Sequence, residues 1–143
     1  MDSAVKEGAA TRSAPAGLRI RVVLADDTAE YRQLLRLILE QDGRFEVVAE
    51  AADGAEAVRF CASERPDVVV LDLAMPVLDG LQAIPQIRAG SPETAIVVLS
   101  GFARGQLDGQ ALASGASRYV EKGQVFSEIV ATLLEVTEEG KAS

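Results

Sequence analysis

Val68-Val69-Val70-Leu71-Asp72-Leu73-Ala74-Met75-Pro76 decides how this chain folds. Apolar residues run from Val68 and stop at a carboxylate, and Pro76 and Asp79-Gly80 then turn the chain. A continuous Val/Leu run reads as a strand buried on both faces, the pattern of a parallel sheet. Asp72 falls at the carboxyl end of that strand, the edge where open α/β sheets bind ligands. An unpartnered carboxylate closing a buried strand is costly, so a turn role alone explains it poorly.

Working outward, the chain before this stretch holds two strand–helix units. Arg19 to Ala25 is a first strand, followed by Asp26-Asp27-Thr28. Tyr31, Leu34, Leu35, Ile38 and Leu39 then recur at helical spacing. Asp27 or Thr28 is placed to cap this helix, and Gly43 to end it. Phe45 to Ala49 is a second strand. Asp53 and Glu56 have the spacing of a capping box. Ala55, Val58, Cys61 and Ala62 are the expected inward stripe of the helix that follows, which Pro66 stops.

Beyond Asp72, Asp79 caps a helix bearing Leu81, Ile84 and Ile87, with Pro85 inside it. An interior proline costs about 3 kcal/mol. A kink is expected, or a start late enough to put Pro85 in the first turn. Thr94 to Leu99 is a fourth strand closing on Ser100-Gly101. Gln106 to Ser114 is a weak helix, with Gly109 inside and few large apolar residues. Ser117 to Val120 is a short fifth strand that runs into Glu121-Lys122-Gly123. Val125, Phe126, Ile129, Val130, Leu133 and Leu134 form a closing helix.

Strict alternation of strand and helix gives an α/β fold: a five-stranded parallel sheet with helices on both faces. The flavodoxin-like order 2-1-3-4-5 is expected, with its switch point between the first and third strands. Residues 1–17 lack periodicity and read as a flexible tail. Residues 18–138 then form one domain, and 139–143 a polar end.

Composition removes rival chemistries. Fourteen Lys and Arg against 22 Asp and Glu give a net charge of −8, which argues against direct nucleic-acid binding. No apolar run is long enough to span a bilayer. The first 17 residues lack the apolar core of a secretory signal, so a cytoplasmic location is expected. The chain has no histidine and one cysteine, Cys61. That excludes Ser-His-Asp and Cys-His nucleophile systems, ordinary zinc sites and an internal disulfide. Cys61, on an apolar stripe, reads as an inert core residue. Phosphate-binding glycine loops of the G-x-x-x-x-G-K and G-x-G-x-x-G types are absent.

In a parallel sheet every strand ends on one side. The first strand then delivers Asp26 and Asp27, the third Asp72, the fourth Ser100 and the fifth Lys122. Asp26-Asp27 by itself reads equally as a helix cap, and Ser100 and Lys122 singly as a loop hydroxyl and a solvated charge. Together they form one crevice. Crowded carboxylates repel unless protonated or matched by a cation, and an oxygen-rich acidic site suits Mg²⁺. Such a set can make one carboxylate a nucleophile that forms an aspartyl phosphate.

Leu-Ala-Asp26-Asp27, Val-Leu-Asp72-Leu-Ala-Met-Pro-Val-Leu-Asp79-Gly80, Val-Leu-Ser100-Gly and Tyr119-Val-Glu-Lys122-Gly stand in order at strand ends. In these motifs the chain resembles the receiver domain of bacterial two-component response regulators, over about residues 19–137. The resemblance implies a phosphorelay role with Asp72 as phosphoacceptor. It implies Mg²⁺ held by Asp27 directly, Asp26 mostly through water, Asp72, and the backbone carbonyl of Ala74. Lys122 would pair with the phosphoryl group, Ser100 would hydrogen-bond it, and Tyr119 would move with Ser100 as the switch. The donor would be a phosphohistidine on a sensor histidine kinase or phosphotransfer protein, and the reader an unknown output protein.

The chain departs from many relatives at Gly123, where they carry proline. It also ends soon after Leu134, without the helix-turn-helix that often follows such receivers. A phosphorylation-independent interaction module and the receiver fragment of a DNA-binding regulator are therefore the alternatives. A multiple-turnover enzyme is not expected. Haloacid-dehalogenase-type hydrolases use Asp-x-Asp, and here the sequence is Asp72-Leu-Ala.

Overall fold

The computed structural model describes residues 18–103 and 105–142 of the chain. The tail expected over residues 1–17 lies outside them. Among the described residues there are five strands, β1 (Ile20–Ala25), β2 (Phe45–Ala51), β3 (Val68–Leu71), β4 (Ala95–Ser100) and β5 (Arg118–Glu121). Five helices join or follow them: α1 (Ala29–Asp42), α2 (Gly54–Glu64), α3 (Gly80–Gly90), α4 (Asp108–Ser114) and α5 (Phe126–Ala142). The sheet order is β2-β1-β3-β4-β5, and each pairing is parallel. This is the expected flavodoxin-like arrangement.

The strand period of two explains why the apolar runs are unbroken. Val23, Ala25, Val69, Leu71, Ile96 and Val98 face one core with α2, α3 and α4. Val22, Leu24, Val68, Val70, Val97 and Leu99 face a second core with α1 and α5. Alternate residues go to opposite faces, so a strand covered on both sides must be apolar throughout. Fully burying a Val or Leu side chain contributes about 1.5–3 kcal/mol. The central strand therefore anchors Asp72 on both sides.

Several local expectations are corrected. β2 runs two residues past Ala49 to Ala51, the partner of Ala25; one of the two comes from a register shift between Val22 and Val23 that skips Val48. On α2 the inward residues are Gly54, Ala57 and Cys61. Ala62 is exposed, and Ala55 and Val58 are half-buried. The smallest side chains face inward because α2 packs closely on its surroundings. A Cβ on Gly54 would lie 1.8 Å from the Leu78 carbonyl oxygen.

The capping box at Asp53 is shifted. Asp53 Oδ1 accepts the Glu56 N–H at 2.8 Å, but Glu56 accepts from the Ala52 N–H. The α3 box is complete, closed by Asp79 and Gln82. α3 starts at Gly80, so Pro85 lies in its second turn and the late start does not occur. Pro85 has no N–H to offer the Leu81 carbonyl. At the other end of the chain α5 continues through Ala142, so residues 139–142 extend a helix. An ion pair between Arg118 and Glu139 joins this extension to β5.

Candidate functional site

Asp26, Asp72 and Lys122 are each the first residue past a strand and Ser100 is the last within one, and the sheet's own hydrogen bonds reach them. The Asp26 N–H donates to the Ala51 carbonyl at 3.0 Å. The Asp72 N–H donates to the Ala25 carbonyl at 2.9 Å, and the Lys122 N–H to the Ser100 carbonyl at 2.7 Å. The ladder thus continues one rung beyond the apolar runs. It fixes the backbones of Asp26, Asp72 and Lys122 with the rigidity of the sheet, not of a loop.

Their side chains meet. Asp26, Asp27 and Asp72 present carboxylate oxygens within 4.8 Å of one another. Asp72 is 5% exposed and Asp26 6%, whereas Asp27 is open to solvent. Lys122 Nζ lies 2.7 Å from Asp26 Oδ2 and 3.5 Å from Asp72 Oδ2. The other Asp26 oxygen accepts the Thr28 N–H at 2.8 Å. Neither expected cap of α1 forms: Thr28 occupies the N-cap position without a side-chain cap bond. The acidic side chains serve the crevice instead.

Three carboxylates against one ammonium leave an uneven charge. Burial pushes the Asp72 carboxyl above its ordinary pKa, and the charges of Asp26 and Asp27 add to the shift. Lys122 and the Ala74 N–H, 3.2 Å from Asp72 Oδ1, pull the other way. Burial alone would lower the Lys122 pKa, but its hydrogen bond to Asp26 and the charges of Asp72 and Asp26 together raise it. A partly buried, charge-crowded carboxylate in a crevice at a sheet's switch point is a reactive-site signature.

Ser100 and Tyr119 converge on one residue of the β4–α4 loop. Ser100 is fully buried, and its Oγ accepts the Phe102 N–H at 3.1 Å. Tyr119 is buried on the α2–α3–α4 side of the sheet, and its hydroxyl donates to the Phe102 carbonyl at 2.7 Å. α4 itself is seven residues long, lacks a side-chain N-cap bond, and buries only Ala111. The Lys122–Gly123 bond is trans.

The structure also shows residues that sequence reasoning passed over. Arg32 Nη1 donates to the Asp26 carbonyl at 2.5 Å, and its Nε to Glu50 at 2.8 Å. Arg36 holds the other Glu50 oxygen. A clue was present: a cation near a helix N-terminus opposes the helix dipole unless something recruits it. Gly80 brings its backbone against the Asp72 loop, its N–H donating to the Leu73 carbonyl at 2.9 Å. Tyr31, read only as a core-facing helix residue, has its ring 4.6 Å from Lys122 Nζ.

A second concavity, of about 730 Å³, opens at the opposite edge of the sheet. Its buried hydroxyls are engaged internally: Ser91 with Thr94, Thr94 with the Pro66 carbonyl, and Thr137 with the Leu133 carbonyl. Its lining includes Arg65, Asp67 and Glu93, but among the described residues the close group of three carboxylates is that of the crevice.

An open, doubly wound α/β domain with a carboxylate triad and a lysine at its switch point defines the class. The sequence matches the family described as response regulator receiver domain over residues 22–134. It is 42% identical over 127 residues to a protein-glutamate methylesterase/protein-glutamine glutaminase of Carboxydothermus hydrogenoformans, covering 87% of this chain and 36% of that protein. It is 38% identical over 113 residues to the transcriptional regulatory protein YhcZ of Bacillus subtilis, covering 79% of this chain and 53% of that one. The chain thus spans about half or less of these relatives.

Among solved structures, a LuxR-family two-component response regulator from Aurantimonas superposes with a TM-score of 0.80 at 31% identity, covering 85% of this chain and 86% of that one. The response regulator domain of Thermotoga maritima CheB gives 0.75 at 29%, covering 87% and 98%. The chain belongs to the response regulator receiver domain family.

Proposed function

We propose that Asp72 accepts a phosphoryl group from a phosphohistidine on a sensor kinase or phosphotransfer protein, and that this resets the Phe102 loop for an output partner. The observation that carries this reading is the ladder extension that holds Asp72, Asp26 and Lys122 together. In the transfer an Asp72 carboxylate oxygen attacks phosphorus. An O–P bond forms and the P–N bond breaks. The electron pair leaves on the imidazole nitrogen, which takes up a proton. Lys122 stands where it can offset charge on the phosphoryl oxygens.

The donor set fits Mg²⁺: hard carboxylate oxygens, two of them buried, with one side open at Asp27. Asp27 and Asp72 would hold it, with the Ala74 carbonyl. Asp26, already engaged by Thr28 and Lys122, would act through water. The metal would supply charge neutralisation at the phosphoryl oxygens.

Ser100 gives the switch its lever. Its hydroxyl oxygen now accepts from Phe102, and it would turn to donate to a phosphoryl oxygen. That releases the Phe102 N–H, and Tyr119, bonded to the carbonyl of the same residue, would move with the loop. A loop tied by these two bonds, next to a short uncapped helix, has low local stability to overcome. No multiple turnover on external substrates belongs to this scheme, and the proposed setting is the cytoplasm. Among the described residues no helix is long and apolar enough to cross a membrane.

Acetyl phosphate with Mg²⁺ tests the reading. Intact mass should show one added phosphoryl group on the wild type and none on Asp72→Asn. A wild-type chain that gains nothing, or an Asp72→Asn chain that gains as much, would overturn it.

A further inference from the structure

Tyr31 stands in the first turn of α1, and Lys122 follows β5. They come from opposite ends of the domain, yet Lys122 Nζ lies 4.6 Å from the centre of the Tyr31 ring. The same nitrogen is 2.7 Å from Asp26 and 3.5 Å from Asp72. Phe126, at the start of α5, packs beside Tyr31 with ring centroids 6.1 Å apart. The Tyr31 hydroxyl is buried and has no hydrogen-bond partner among the described residues. It therefore does not hold the ring in place, and it carries the penalty of a desolvated, unpaired group. What the residue offers the crevice is its aromatic face.

We infer that Tyr31 is a positioning residue whose ring face carries the Lys122 ammonium and holds it within reach of Asp72. A cation over an aromatic face is attracted by the ring quadrupole, more strongly where water is excluded. Lysine needs such a guide because its ammonium sits on a flexible four-carbon stem and presents no fixed fork of donors. Two carboxylates alone hold it badly for this purpose. Asp26 is the nearer, and any cation or proton that neutralises Asp26 or Asp72 weakens their grip. The ring is neutral and keeps its hold through those changes.

This inference rests on the proposed role of Lys122 at the phosphoryl group, so its test has one arm that needs no phosphorylation. The full chain is prepared as wild type, Tyr31→Phe and Tyr31→Leu, with Tyr31→Met as a second aliphatic variant against a loss of folding. NMR should find the Lys122 side-chain methylene protons shifted upfield by the ring current in wild type and Tyr31→Phe, and returned to ordinary positions in the aliphatic variants. With acetyl phosphate and Mg²⁺, Tyr31→Phe should be phosphorylated at the wild-type rate and the aliphatic variants about fivefold more slowly.

Lys122 protons without an upfield shift in the wild type would overturn the inference. So would aliphatic variants phosphorylated as fast as wild type, or Tyr31→Phe slowed as much as they are. A wild type that takes no phosphoryl group defeats the proposed function instead, and the NMR arm still decides whether the ring holds the lysine.

Discussion

Replacing Gly80 with alanine tests how tightly the Asp72 loop is built. An added Cβ would lie 2.5 Å from the Asp72 carbonyl oxygen, 2.6 Å from Leu73 Cα and 2.9 Å from a Leu73 methyl. Two of these neighbours are backbone atoms, which cannot turn aside as a flexible side chain can. The Gly80 N–H also donates to the Leu73 carbonyl at 2.9 Å, so α3 and the loop cannot separate without losing that bond. Forced overpacking costs about 1–3 kcal/mol. Alanine recovers at most about 1 kcal/mol through helix propensity. A net loss of about 1–2 kcal/mol lowers the melting temperature of a domain this size by roughly 2–8 °C.

Gly109→Ala is the matched control. It lies inside α4, where a Cβ would meet nothing within 4 Å. It should stabilise by about 0.5–1 kcal/mol. Thermal and urea melts followed by circular dichroism read both. Because the clash falls on the Asp72 carbonyl, Gly80→Ala should also slow phosphorylation, whereas Gly109→Ala should not alter the crevice. A Gly80→Ala chain as stable as wild type would show that the loop gives way easily and that the close approach does not constrain Asp72.

Val77 sits at φ +69°, 80% exposed, inside a three-residue turn closed by Leu78 N–H to the Pro76 carbonyl at 2.7 Å. A β-branched residue is strained there, so Val77→Gly should raise stability by about 1 kcal/mol in urea melts, and a loss would refute the assigned strain. Burial tends to raise the Glu50 pKa, but hydrogen bonds from Arg36 and Arg32 outweigh it and hold the carboxyl below its ordinary 4.5. A depressed folded pKa contributes stability above 4.5 that is lost as pH falls through the folded value. Glu50→Gln should therefore be less stable than wild type at pH 7, with the gap closing in acid; an equal gap at both ends would count against it. The Cys61 thiol, pushed by burial up to about 12, should resist thiol reagents at pH 8 until the chain is unfolded. Rapid labelling of folded protein would contradict its core placement.

The apolar runs made most of the fold legible. Val68 to Leu71 is apolar at every position because both faces are covered, and no single-faced element imitates that pattern. The ends of the strands carried the candidate site for the same reason: Asp26, Asp72, Ser100 and Lys122 mark where the apolar runs give way to polar residues. What the sequence hid depends on register and approach. The shift at Val22/Val23 lengthens β2 without any local marker. The inward face of α2 follows from close packing at Gly54, not from side-chain hydrophobicity, and so the Ala62 expectation failed. Tyr31 and Arg32 show the same limit. Each reads as a helix residue, and only the crossing of α1 over the crevice brings one to Lys122 and the other to the Asp26 carbonyl.

Under the proposed function, sheet geometry selects Asp72, among three crowded carboxylates, as the one that takes the phosphoryl group. Chemical trapping tests it directly. The chain is phosphorylated with acetyl phosphate and Mg²⁺, the acyl phosphate is reduced with borohydride, and the peptides are mapped by mass. Homoserine is expected in place of Asp72, with Asp26 and Asp27 unchanged. Homoserine at Asp26 or Asp27, or a phosphorylated chain with Asp72 intact, would contradict it.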